Sequence, residues 1–383
     1  MTSPPKVIGL WLYTNDGNVK NVEKIENRLR QAGYRVISGF NLNNCYVRDG
    51  QVYTDSGENL SESDIFYFMN VDQRSDYSHL MLQFLELSGV KLINPFEVYD
   101  HTADKAKTNM ILTRAGIKTA PFLLINNDAQ SLARVRQAFD DWGSAVVKQR
   151  IGAGGKGIVK VESFAQFEEF FEYSQKKYFD FYLEKYIPFG DRDYRVDMID
   201  GKIVHLYSRV KGGSYKTNVH SGVRKLDHFN RDAESFIALS NKICHLLNLE
   251  ATIIDFAIST EDNDIYVIEV NENLGMFMQS FVKELTDQGN NLDMPSNLID
   301  DERKIGMVCD YLEKRLLDST PKSYPQYYAR NIGIFTEEDQ ERLRKSHVFF
   351  AGTGGIGGIQ AATLARLGVG KITIMDPGIF DEP

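Results

Sequence analysis

Residues 251–257 (Ala-Thr-Ile-Ile-Asp-Phe-Ala) and 265–271 (Ile-Tyr-Val-Ile-Glu-Val-Asn) are two apolar runs, each interrupted by a carboxylate. The polar stretch Glu261–Asp264 separates them, so 251–259 and 265–271 read as a β-hairpin. Side chains alternate along a strand, which puts Glu269 and Asn271 on one face and lets the hairpin partner bring Asp255 beside them. Two carboxylates and an amide set in apolar strands are costly to bury uncompensated. Hard oxygen donors of this kind suit Mg2+, which takes one or two carboxylates and completes its shell with phosphate oxygens and water. An acidic pair on an exposed sheet edge is the competing reading of the same residues.

A second stretch upstream supplies what such a metal would need. In residues 146–157, Val-Val-Lys-Gln-Arg-Ile-Gly-Ala-Gly-Gly-Lys-Gly, a lysine ends an apolar strand and a glycine loop follows. Glycine lets backbone N–H groups approach phosphate closely, and Lys148 would reach an α or β phosphate. The Gly-Lys pair is followed by Gly157 rather than Ser or Thr, so this is not a Walker A loop. Alone, it is equally a glycine-rich hairpin with a surface lysine. Together, the two stretches provide positive charge, a flexible backbone cradle and metal ligands, the parts that phosphoryl transfer requires.

Around these stretches the chain alternates. Strands at 6–13, 34–37, 64–71 and 90–94, with helices at 18–32 and 78–87, predict a parallel sheet covered by helices. Residues 43–61 are polar and turn-rich, a hairpin or loop insertion. A helix at 104–114, strands at 118–125, 145–148, 158–161 and 180–186, and helices at 131–139 and 164–174 describe a small α+β lobe. Strands at 193–198 and 202–209 turn through Asp200-Gly201; a loop at 212–225 and a helix at 232–247 lead back to the opening hairpin. Ser319–Tyr328, with two prolines, reads as a linker. Beyond it come a strand at 347–351, a helix at 356–367 and a strand at 371–376.

The 383 residues suit two or three lobes. A formal charge of −9 argues against nonspecific binding to nucleic acid or an anionic membrane, while leaving room for a local basic cleft. The three cysteines, Cys45, Cys244 and Cys309, form neither a disulfide framework nor a zinc spacing. The seven histidines show no metal-ligand pairing. With no signal peptide and no apolar run near 18 residues, a cytoplasmic location is expected.

The combination resembles the ATP-grasp superfamily, and within it the RimK-type amino-acid ligases, over roughly residues 5–315. The resemblance rests on Asp104-Lys105, Val147-Lys148 with the glycine loop, Lys185-Tyr186-Ile187, Asp193-Tyr194-Arg195, Lys216-Thr217-Asn218-Val219-His220-Ser221-Gly222, Asp255 and Glu269-Val270-Asn271, in that order. It implies an α/β and α+β chain with an N-terminal parallel-sheet lobe (1–103), a small central lobe (104–186) and a C-terminal lobe with the Mg2+ site (187–318). It implies that Lys105, Lys148 and the glycines Gly152, Gly154, Gly155 and Gly157 meet the ATP phosphates. Lys185, Tyr186 and Ile187 would lie along adenine, with Asp193 near the ribose. Arg195, Arg209 and Asn218 would face the reacting carboxyl and γ-phosphate, and Asp255, Glu269 and Asn271 would hold two Mg2+ ions. Asp193 and Arg195 could instead simply pair with neighbours, and His220 could merely anchor its loop. The implied reaction phosphorylates a carboxylate, lets an amine attack the acyl-phosphate, and releases ADP and phosphate. Two departures, Glu272-Asn273-Leu274-Gly275 after the metal asparagine and Val223 in place of a second glycine, fall near the acceptor's expected position. Glutamate therefore cannot be assumed to be the added amino acid.

Past the linker, at 319–328, Gly352-Thr353-Gly354-Gly355-Ile356-Gly357 follows a strand and opens a helix, with Asp376 after the next strand. By spacing alone this is a dinucleotide fingerprint. With Tyr328–Ile334, Gln340–Leu343 and Leu367–Ile372 it resembles the opening of ThiF/MoeB-type adenylating enzymes over 329–383. The resemblance gives Gly352, Gly354, Gly355, Gly357 and Asp376 to a nucleotide, as a partial Rossmann-like βαβ unit. That family's downstream arginine, catalytic aspartate and zinc cysteines have no counterpart before Pro383, and Gly378 replaces its second aspartate. The segment is therefore expected to be catalytically idle, either as a piece of a longer fusion or as a structural remnant. The fusion suggests a peptide or small-protein substrate, and an amino acid or peptide is the expected partner; self-association stays open. A phosphotransferase on the same fold and a nucleotide-binding regulatory module without catalysis are the competing functions.

Overall fold

The computed structural model describes residues 5–15, 17–70, 73–152, 157–174, 177–213, 223–275, 277–289, 292–317, 328, 331, 335–376 and 378. The chain divides into two compact units, residues 1–316 and 317–383.

The first unit opens with β1 (Val7–Leu12), β2 (Arg35–Ile37), β5 (Ile65–Met69) and β6 (Lys91–Ile93), ordered β2-β1-β5-β6 with every pairing parallel. Strand alternation sends Ile8, Leu10 and Leu12 to one core and Val7 and Trp11 to the other. The first face is covered by α1 (Val19–Gln31), through Ile25 and Leu29, and by α9 (Asp301–Leu317), through Ile305, Val308 and Leu312. The second is covered by α2 (Asp76–Leu87), through Met81, Leu82 and Leu85. Burial on both faces explains why these strands read as continuous apolar runs. A small hairpin, β3 (Tyr46–Arg48) with β4 (Gln51–Tyr53), occupies the turn-rich insertion. Helix α3 (Phe96–Thr102) follows β6 and leads to α4 (Lys105–Arg114).

The central sheet, β7 (Phe122–Asn126), β8 (Ala145–Lys148), β9 (Val159–Val161) and β10 (Asp180–Lys185), is antiparallel in the order β7-β10-β8-β9. Helices α5 (Leu132–Trp142) and α6 (Phe164–Ser174) cover one face with Phe139, Phe167 and Phe171. The strand expected from residue 118 starts only at Phe122. Val267 N–H donates to the Lys118 carbonyl at 2.9 Å and Thr119 bridges Val267, so residues 118–119 belong with the next sheet, and Pro121 has no N–H to give.

That next sheet consists of β11 (Arg192–Ile199), β12 (Lys202–Lys211), β13 (Val223–His228), β14 (Ala251–Ile258) and β15 (Ile265–Asn271), antiparallel in the order β13-β12-β11-β14-β15. Asp200 and Gly201 turn β11 into β12 with φ of 52° and 69°, the two positive values that a type I′ hairpin requires. Parity divides the sheet. Tyr194, Val196, Met198, Ile254, Phe256 and Val270 pack on α7 (Ala233–Leu247), which Asp232 caps. Asp193, Arg195, Asp197, His205, Arg209, Asp255, Glu269 and Asn271 occupy the alternate positions. Strand β13 begins inside the expected loop 212–225; α3, α8 (Met278–Asp287) and α9 were not anticipated.

In the second unit, β16 (His347–Ala351) and β17 (Lys371–Met375) pair in parallel, joined by helix Gly355–Leu367. A Cβ on Gly357 would stand 2.2 Å from the Gly352 carbonyl oxygen, so only glycine lets the helix start this close to the loop. Among the described residues no helix is long and apolar enough to cross a membrane.

Candidate active site

The polar face of the five-stranded sheet is a row of charges set by register. Asp255 faces Glu269 on one side and Arg195 on the other, and Asp193 faces Arg209. Arg195 holds Asp255 with two bonds, Nε to Oδ1 at 2.7 Å and Nη2 to Oδ2 at 2.9 Å. Arg209 reaches Asp255 Oδ2 at 3.0 Å and holds Asp193 through Nε to Oδ1 at 2.9 Å. Burial alone would raise the Asp255 carboxyl; the Arg195 and Arg209 guanidiniums outweigh it and hold Asp255 below the usual carboxylate range. Two arginines and two aspartates balance in charge, which is how four ionised groups can lie together in a buried place.

Asp193, expected near a ribose, has no exposed surface and both its oxygens lie on Arg209. It therefore acts here as the anchor of Arg209, the neighbour pairing that the sequence also allowed.

A second cluster joins this sheet to the central lobe. Asp104 caps α4, its Oδ1 accepting from Ala106 and Lys107 N–H at 3.0 and 3.3 Å, while its Oδ2 pairs with Arg150. Lys105 N–H donates to the Arg150 carbonyl at 3.0 Å. These bonds fix Lys105, whose Nζ donates to the Gly152 carbonyl at 2.6 Å and stands 3.3 Å from Glu269 Oε1. One ammonium thus spans the entry to the glycine loop and a candidate metal ligand. Lys148 ends β8 just before that loop and pairs with Glu184, a buried carboxylate that also accepts from Asn109 Nδ2 at 3.1 Å and Tyr182 OH at 2.8 Å. Lys185, Tyr186 and Ile187 link β10 to β11 as the connection between the two sheets; Lys160 Nζ lies 3.9 Å from the Tyr186 ring centroid and Ile187 is buried. Of the expected cradle, Gly152 and Gly157 are described. Gly154, Gly155 and the stretch carrying Asn218 and His220 lie outside the described residues.

The structure thus brings together Lys105, Glu269, Asp255, Arg195 and Arg209, with Asn271 two residues along β15. The donor set fits Mg2+: Asp255 and Glu269 are direct cross-strand partners, and Glu269 keeps a third of its side chain exposed. Sequence reasoning missed Glu184, Arg150 and Arg74. Arg74 lies in the loop between β5 and α2, at the carboxyl edge of a parallel sheet, and that position was its only signal.

In the second unit Asp376 is occupied by its own loop. Its Oδ2 accepts from Thr353 N–H and from Thr353 Oγ1 at 3.0 Å, and its Oδ1 accepts from Gly378 N–H at 2.8 Å. The Thr353 backbone N–H, foremost, holds this carboxyl below its ordinary value.

The architecture is that of the ATP-grasp ligases. More closely, residues 102–292 match the RimK-like ATP-grasp domain, and residues 328–382 match the ThiF family. The tetrahydromethanopterin:alpha-L-glutamate ligase of Methanocaldococcus jannaschii is 26% identical over 276 residues, 70% of this chain and 89% of that protein. The coenzyme gamma-F420-2:alpha-L-glutamate ligase of Methanococcus maripaludis is 28% identical over 207 residues, 52% of this chain and 69% of that protein. Among solved structures, the D-alanine–D-alanine ligase of Bacillus anthracis superposes with a TM-score of 0.56 at 17% identity, over 82% of this chain and 99% of its own. The ATP-grasp ligase PsnB, complexed with minimal precursor, Mg and ADP, gives 0.54 at 16%, with the same coverage.

Proposed function

We propose that the chain joins a carboxylate to an amine through an acyl-phosphate, using ATP and two Mg2+ ions and releasing ADP and phosphate. We further propose that its substrate is an amino acid or peptide, and that it acts in the cytoplasm. The observation that carries the reading is the meeting of Lys105, Glu269, Asp255, Arg195 and Arg209 on one sheet face at the mouth of the glycine loop.

Asp255, Glu269 and Asn271 would hold the metal, which when bound neutralises phosphate charge. Lys105 and Lys148 would bind phosphate oxygens as they release Glu269 and Glu184. Arg195 and Arg209 would orient the substrate carboxylate and the transferring phosphoryl group. A carboxylate oxygen bonds to the γ-phosphorus as ADP departs; the amine then bonds to the acyl carbon, and phosphate leaves carrying that oxygen while the amine loses a proton to solvent. Positioning and charge neutralisation suffice, and no enzyme nucleophile is needed. The relatives that join glutamate to a cofactor, and the PsnB complex with a precursor, support an amino-acid or peptide partner.

The test uses amino acids and peptides labelled with 18O in the carboxylate. The reading requires amide product, stoichiometric ADP and one 18O in the released phosphate. A stable phosphorylated product without amide would make the chain a phosphotransferase, and nucleotide binding without turnover would make it a regulatory module.

A further inference from the structure

Strand β15 ends on a candidate metal ligand. Asn271 is its last residue, paired across the ladder with Ile253. The strand stops there, yet the Asn271 and Glu272 carbonyls are both held by side chains. Thr252 Oγ1 donates to the Asn271 carbonyl at 2.6 Å. Asn94, which follows β6, donates from Nδ2 to the Glu272 carbonyl and, at 2.7 Å, to the Ala251 carbonyl. Its Oδ1 accepts from Glu250 N–H and, at 3.1 Å, from Ala251 N–H. An amide has two N–H donors and two acceptor lone pairs, so Asn94 is fully used and pins the chain beyond Asn271. Thr252 and Asn94 are both buried. Across the sheet Thr252 faces Met198, and it shares its parity with Ile254; both of those pack on α7. The Thr252 hydroxyl therefore reaches Asn271 from the face turned away from Asp255 and Glu269.

A β-branched side chain has few χ1 choices, so this hydroxyl is aimed before any metal arrives. With the ladder fixing the chain before Asn271 and Thr252 fixing the peptide plane after it, the Cα–Cβ direction is set. Only the side-chain torsions of Asn271 stay free. Mg2+ demands near-ideal octahedral geometry, so a ligand at a strand end serves it only where the backbone is held in this way. We propose that Thr252 is a positioning residue for the metal site. Acting through the Asn271 carbonyl from the far face of the sheet, it sets the direction in which Asn271 meets the ion. The proposal rests on the ligase reading above, which makes Asn271 a ligand, and deepens it.

The full chain is titrated calorimetrically with ADP, once in saturating MnCl2 and once in EDTA. The ratio of the two affinities reads how well the site holds metal beside the nucleotide. Mn2+ takes the same oxygen ligands as Mg2+. Thr252→Val keeps the side-chain shape and removes the hydroxyl. It should lower the ratio about 10-fold, the worth of a partner that orients a metal ligand, with ADP affinity in EDTA unchanged. Thr252→Ser drops a buried methyl but keeps the hydroxyl, so it should lower the urea midpoint and hold the parental ratio. A merely structural threonine would make the ratio follow stability rather than the hydroxyl. A parental ratio in Thr252→Val, or a ratio that falls as far in Thr252→Ser as in Thr252→Val, would therefore overturn the proposal and leave the ligase reading standing. A parent chain whose ADP affinity ignores Mn2+ would instead refute the ligase reading, and this proposal with it.

Discussion

Replacing Lys148 by alanine separates what this residue does for the fold from what it does for ATP. The sequence alone suggests a strand-end lysine that carries little packing, whose loss the fold should tolerate. The structure gives a different expectation, because Lys148 and Glu184 are only 11% and 8% exposed and face each other. Removing one member of a buried pair costs about 3–5 kcal/mol. Asn109 and Tyr182 still donate to Glu184, which places Lys148→Ala at the lower end, about 3 kcal/mol. At about 2.1 cal/mol/K of unfolding entropy per residue over unit 1–316, that is a fall in Tm of about 4–5 °C. The double variant Lys148→Met/Glu184→Gln removes both charges and should recover most of the loss. Differential scanning calorimetry of the three proteins reads the stability, and calorimetric titration with MgATP reads the binding. ATP affinity should fall in both variants, because the double variant restores the fold without the phosphate-binding cation. A single variant as stable as the parent would mean that the Glu184 pair contributes nothing. Parental ATP affinity in the stable double variant would refute the role given to Lys148.

Glu269→Gln should lose nearly all turnover yet keep part of its nucleotide binding, since it removes one charged metal ligand and leaves Lys148 and Lys105 in place; retention of Mg2+-dependent ADP release would put the metal elsewhere. Burial pushes the Cys45 and Cys244 thiols up to about 12 and Cys309 up to about 11, so Ellman's reagent at pH 8 should label none of them in the folded chain and all three in urea. The same raised values favour the folded state fully below the unfolded thiol pKa of about 8.5, and that contribution should fade as pH climbs through about 11, seen as a falling urea midpoint. Deleting residues 329–383 should leave ADP-forming activity measurable, because residues 1–316 are a compact unit by themselves; a deletion that folds and binds nucleotide but has lost all turnover would make the tail part of the ligase site.

Periodicity made the lobes legible. The Lys118–Ile125 strand was misplaced because hydrophobicity cannot show that Lys118 and Thr119 bond to Val267 on another sheet. Helix α9 could have been read, since Ile305, Val308, Leu312 and Leu316 recur at helical spacing. In the site, parity along β14 and β15 sufficed to place Asp255, Glu269 and Asn271 on one face, whereas Arg195 was indicated only by the resemblance. Partner choice was not legible. That Lys148 takes Glu184, and Arg74 takes Glu272, depends on pairings between segments 36 and 198 residues apart, which no local pattern encodes.

Those pairings share a logic that single motifs do not reveal. Lys105 stands at Glu269, Lys148 at Glu184, and Arg195 and Arg209 share Asp255 and Asp193. A cluster of unpaired cations in a cleft would pay heavily in desolvation and repulsion, and so would unpaired carboxylates. Storing each charge against its opposite lets these groups fold together. On the proposed reading, Mg2+ and the triphosphate arrive with both signs of charge, so each carboxylate given to a cation is matched by a lysine or arginine given to phosphate. That exchange is electrically balanced only when metal and nucleotide bind together. Nucleotide without metal should therefore bind weakly, with Glu269 still holding Lys105, and metal without nucleotide should bind more weakly still, with Asp255 held by two arginines.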